Sequence, residues 1–207
     1  MVIKILSTKN IYTATAFIII ASLTVAILRS IFNENWLVLF TSIIVLILSA
    51  IPIFIRKKFK LKIPLEIELI TVLFIYATLF LGEAYNFYEI FPWWDTLLHA
   101  GSAIVFGFIG FTILYLMYSR HKVDAKPLAI AIFAFSFAIA IGAIWEIIEF
   151  SIDNILGWNM QKSGLVDTMS DLIVDTLGAI LSAGITFAYF KTKKTFIFEN
   201  IVKKIKR

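Results

Sequence analysis

Six of the chain's fourteen carboxylates fall between Ile144 and Ala179, inside two strongly apolar stretches. They form two sets by spacing. Glu146, Glu149 and Asp153 stand at i, i+3, i+7, and Asp167, Asp171 and Asp175 at i, i+4, i+8. On α-helices each set lies along one face. Gly157 to Gly164 supplies a turn between them, so a helical hairpin would bring the two acidic stripes face to face. A third contribution comes from FPWWDTLLHAGSA, where Asp95 and His99 share a face at i, i+4.

Depth separates these groups from ordinary surface charge. At about 1.5 Å per residue, His99 lies about 10 Å in from Pro92 and Asp175 about 12 Å in from Asp167. Glu146 lies about 6 Å in from Phe150 by the same rise. Three helices would thus present acids and one imidazole at similar depth. Clustered carboxylates repel one another unless they share protons or bind a cation. Oxygen ligands with one imidazole suit hard or borderline divalent ions. The expected ligands of a Zn, Mn or Mg ion are Asp95, His99, Glu146, Asp171 and Asp175. Glu149 is the expected general acid or base, with His99 as a second candidate.

Milder roles exist for several of these residues. Asp95 and Asp167 could cap their helices. Asp153 could reach headgroup water. Glu66 and Glu68 follow Pro64, where first-turn carboxylates complement the helix macrodipole. Glu146, Asp171 and Asp175 lie too deep for capping, and buried ionisable groups in membranes usually face a cavity or pathway.

The elements that would position them are membrane spans. The chain has 207 residues, 60% hydrophobic and 16% charged, with a mean hydropathy of +0.92. Soluble domains carry about 25% charged residues. Six apolar runs approach the roughly 20 residues that cross a bilayer: about 11–32, 36–55, 63–82, 93–118, 128–150 and 168–190. The expected fold is an all-α bundle of six transmembrane helices, one domain over 1–207, with a short basic tail at 191–207. Ala100, Gly101 and Ser102, Gly142 with Ala138, and Gly178 with Ser182 would permit close helix approach.

Seventeen of nineteen Lys and Arg residues fall at the termini or in the loops near 56–62 and 120–126; Arg29 and Lys162 are the exceptions. By the positive-inside rule both termini are cytoplasmic in a multi-pass protein of the cell membrane. The same placement accounts for the pI of about 9.3 and argues against a nucleic-acid partner. Lipid is the expected surrounding. The absence of cysteine excludes disulfides and thiolate chemistry.

WWDTLLHAGSA, WEIIEFSIDNILG and DTMSDLIVDTLGA together resemble the YjdF-like family of predicted bacterial inner-membrane proteins. The order Asp-x-x-x-His, Glu, Asp-x-x-x-Asp-x-x-Gly-Ala is more distantly similar to the VanZ-like family, where asparagine commonly stands at the place of Asp175. The first resemblance implies a multi-pass membrane protein without an assigned activity. The second hints at envelope chemistry.

Three functions suit these residues. The leading one is a metal-dependent hydrolase or transferase acting on a lipid or lipid-linked envelope substrate. The others are a cation- or proton-coupled transporter and a non-catalytic accessory protein with proton-sharing acids. Oligomeric state is not legible. The charge split makes a direct prediction: in intact cells an impermeant thiol reagent should label Ser163→Cys and spare Ser119→Cys. The reverse pattern would invert the topology.

Overall fold

A computed structural model of the chain describes residues 8–58, 65–119 and 121–192, and all of its regular structure is helical. Lys60, Lys62, Arg120 and the tail from 193 onward lie outside the described residues. The helices are α1 (Thr8–Phe32), α2 (Trp36–Lys58), α3 (Leu65–Ile75), a π-helical segment (Tyr76–Ala84), α4 (Phe87–Ile90), α5 (Trp94–Ser119), α6 (Pro127–Leu156) and α7 (Leu165–Thr192). The described residues gather into two compact units, one up to Trp94 and the other from Asp95 onward.

Five described helices are long and apolar enough to cross a membrane, not the expected six. The exception is the third expected span, 63–82. Its α-helical ladder ends at Ile75 after 11 residues. That covers about 16 Å at 1.5 Å per residue, about half of a bilayer's hydrocarbon core. From Tyr76 the backbone widens into nine residues of π-helix. The Tyr76, Phe80 and Tyr85 rings pack in tilted contact along that segment, with successive centroids 4.9 Å apart. Gly82 leaves the space that the Tyr88 ring fills.

In the first unit, α1, α2 and the α3–π segment pack around Ile19, Leu23, Ala26, Val45, Val72 and Phe80. Glu68 is buried beside this core, 1% exposed. Arg56 Nε donates to its carboxylate at 2.7 Å, and the Tyr12 hydroxyl donates to the other oxygen. Its position early in α3 suits the macrodipole, but the ion pair supplies the larger compensation.

In the second unit, α6 and α7 form the helical hairpin read from the sequence. Pro127 opens α6 where a missing N–H costs nothing. Gly157 closes it in the left-handed region, its N–H bonded to the Asp153 carbonyl at 3.0 Å. The Asp153 side chain organises the turn rather than seeking headgroup water. Its two oxygens accept the backbone N–H groups of Met160 at 2.7 Å and Gln161 at 2.9 Å. Gln161 in turn donates to Thr168 Oγ1 at 2.6 Å, anchoring the turn to the start of α7.

Small residues bring α5 against this hairpin. A Cβ on Gly178 would stand 2.9 Å from Ala103 Cβ and 3.0 Å from the Ala100 carbonyl oxygen. Gly101, expected to serve such a contact, has open space around it. The approach therefore uses the Ala100–Ala103 face of α5.

The Glu68 ion pair generates a prediction about stability. Arg56→Met leaves a buried carboxylate without its cation and should cost about 1–3 kcal/mol, limited by the partial exposure of Arg56. The double variant Arg56→Met/Glu68→Met should recover most of that loss, since no uncompensated charge remains. Thermal unfolding in detergent measures both. A double variant less stable than Arg56→Met would contradict the assignment.

Candidate metal centre

The acidic groups of the second unit meet at the end where α5 begins, α6 finishes and α7 begins. His99 stands one helical turn into α5, 7% exposed. Its two ring nitrogens have different company. Nδ1 lies 3.3 Å from both oxygens of Asp175, on α7. Nε2 lies 3.9 Å from Asp95 Oδ1 and 3.8 Å from Glu146 Oε1, on α5 and α6. Asp171 joins the group: single ligand atoms of Asp95, His99 and Asp171 all lie within 4.8 Å of one another.

These distances discriminate between roles. An ionised Asp175 carboxylate can only accept, from Nδ1–H, and in the neutral ring that tautomer leaves the Nε2 lone pair free. The Nε2 separations from Asp95 and Glu146 exceed hydrogen-bonding range. They fall between the two donor–donor separations that a shared cation would impose. Ligands about 2.1 Å from a shared cation lie about 3.4 Å apart at a tetrahedral angle and about 4.2 Å apart when opposite.

Glu146 sharpens the point. It is 4% exposed, and neither oxygen makes a hydrogen bond of normal geometry. Thr168 is near without completing one. A buried carboxylate without a partner is costly. Its basic neighbour among the described residues is the His99 ring.

The remaining acids form an outer layer. Glu149 is 8% exposed, next to Glu146, Asp95 and His99, with the Trp145 side chain beside it. Asp167 is half-buried, near Asp95 and Lys162. Asp95 and Asp167 both lie within the first turns of their helices rather than preceding them, so neither is the N-cap residue. They still favour the positive helix ends. Asp95 is the more accessible member, with its side chain 26% exposed. Asp153 is taken up by the turn.

Sequence reasoning grouped Asp175 with the ion-facing acids; the geometry puts it on the opposite ring nitrogen from Asp95 and Glu146. It also missed the roles of Arg56, Tyr12 and Gln161, none of which lies in an acidic stripe. Arg56 could have been suspected from its place at the end of an apolar run, 12 residues before Glu68.

The model of a family of predicted membrane proteins, DUF2238, matches residues 12–192. An uncharacterized protein of Thermotoga maritima is 37% identical over 127 residues, 61% of this chain. The match spans 64% of that relative, slightly under two thirds of its length. No solved structure matches.

Proposed function

The chain belongs to the predicted membrane protein family DUF2238, and we propose that its second unit, from Asp95 onward, holds a divalent cation within the membrane. The ligands are His99 through Nε2, Asp95, Asp171 and Glu146. The observation that carries this reading is the Glu146 carboxylate, buried, without a hydrogen bond of normal geometry and 3.8 Å from Nε2. The donor set of three carboxylates and one imidazole suits Zn or Mn, and Mg where water completes the shell.

The chemistry proposed for the site is hydrolysis or group transfer on a lipid or lipid-linked molecule. An ion so bound would polarise an ester or phosphoryl oxygen and lower the pKa of a bound water. Glu149, beside Glu146 and Asp95, would accept the proton of that water. The lipid preference is supported by the apolar margin at this end of the unit. Trp158, Leu165 and Val166 are 61%, 75% and 69% exposed, so an amphiphilic substrate could keep its tails in lipid while its head meets Asp95. Lys122, Lys126 and Lys191 lie toward the other ends of the same three helices. The positive-inside rule then sets the cation site toward the outer leaflet, with the chain's termini cytoplasmic. The likeness to YjdF-like inner-membrane proteins supports a place in the cell membrane.

Metal binding requires ionised carboxylates and a neutral imidazole, so affinity should fall as pH falls. Purified protein in detergent should melt lower after chelation and regain its melting temperature with Zn or Mn. Asp171→Asn and Glu146→Gln keep side-chain size but remove one anionic ligand. Each should lose at least tenfold in affinity while melting at or above the parent temperature in chelator, because carboxylate repulsion is relieved. A parent protein indifferent to chelator and metals, with both variants melting higher throughout, would replace the metal centre with a proton-sharing network in an accessory protein.

A further inference from the structure

The Asp175 carboxylate occupies space that exists because residue 142 has no side chain. A Cβ built on Gly142 would stand 3.0 Å from Asp175 Cγ and closer still to Oδ2. Asp175 itself is 1% exposed, so displacement toward solvent is closed to it. The same carboxylate meets His99 Nδ1 through both oxygens at 3.3 Å. On α6, Gly142 precedes Glu146 by four residues, one turn along the same face.

We propose that Gly142 is a positioning residue: it admits the Asp175 carboxylate between α6 and α7, where Asp175 holds the His99 ring by Nδ1–H and turns Nε2 toward the cation. This rests on the metal reading above and assigns Asp175 a place outside the ligand shell. A carboxylate on the far nitrogen of a metal-bound imidazole fixes ring orientation and raises ligand basicity, commonly with a 10–100-fold effect on affinity. Gly178 contributes at the level of the backbone. It brings α7 against Ala100 and Ala103, the α5 residues that follow His99. Gly142 acts on the side chain. The fold thus uses two bare positions to set one imidazole.

The test uses the full-length protein labelled with 15N-histidine and carrying His121→Gln, which leaves His99 as the single histidine. Cadmium-113 is the probe, read by nuclear magnetic resonance and by titration. The parent should show cadmium coupling on Nε2 and a proton on Nδ1. Gly142→Ala should weaken cadmium binding at least tenfold and abolish the Nδ1 hydrogen bond to Asp175. Asp175→Asn, which keeps the volume, should fold like the parent and also bind cadmium at least tenfold more weakly. Gly110→Ala supplies the crowding control. Its Cβ would press on Phe137 at 2.8 Å, about three turns along α5 from His99, and should leave cadmium affinity within twofold. Cadmium on Nδ1, parent-like affinity in Gly142→Ala, or an equal loss in Gly110→Ala would overturn the proposal. Should Gly142→Ala fail to fold, Asp175→Asn decides by the same affinity criterion. If the parent takes up no cadmium, the metal reading fails. The positioning role is then judged on the metal-free ring: an Nδ1 hydrogen bond present in the parent and lost in Gly142→Ala supports it, and an unchanged signal overturns it.

Discussion

One imidazole stands between acids on three helices, and the arrangement at that end of the second unit depends on it. His99 is the element through which Asp175 on one side and Asp95 and Glu146 on the other can coexist in a buried setting. A carboxylate at the centre of a membrane helix costs roughly 2.5–3.5 kcal/mol on insertion scales. Several of them within one helix turn of one another cost more through mutual repulsion. The small faces of α5 and α7, the bare position on α6 and the turn tied by Asp153 all serve to hold these groups in register. The ring alone, with two nitrogens, cannot meet the bonding capacity of four carboxylates.

The first unit solves a similar problem in a closed way. Glu68 is as deeply buried as Asp175, and both of its oxygens are met from within by Arg56 and Tyr12. Such a triad is complete: removing one partner alone would leave a buried charge uncompensated. Glu146 has no equivalent. The first unit therefore holds a buried acid whose charge is matched by its own side chains, and the second holds one without a hydrogen bond of normal geometry. That difference separates a structural ion pair from a candidate ligand site, and it is visible only when the hydrogen bonds are traced residue by residue.

Much of the helical pattern was legible in the sequence, because apolar runs and their polar punctuation report directly on length and ends. Pro127 and Gly157 mark the two ends of α6 by elementary backbone rules. The i, i+4 relation of Asp95 and His99 and the stripes on α6 and α7 follow from helix periodicity. What periodicity could not supply is rotation of one helix about another. Whether Asp175 meets Nδ1 or Nε2 turns on Gly142 and on the close passage at Gly178, and neither is encoded in the spacing of acids. The fifth-residue hydrogen bonding of 76–84 was equally hidden, since π and α turns draw on the same apolar composition. Asp153 was misread for a related reason: its partners are backbone N–H groups seven and eight residues on, in a turn whose path is set by positive-φ glycines at 157 and 164.

X-ray absorption on zinc-loaded, full-length protein tests the central claim most directly. The account predicts about one zinc per chain retained through gel filtration, with one imidazole nitrogen and otherwise oxygen neighbours at about 2.0–2.2 Å. The imidazole scattering should vanish in His99→Ala and persist in His121→Gln. Zinc that washes away, or a retained ion whose shell is unchanged by His99→Ala, would contradict it.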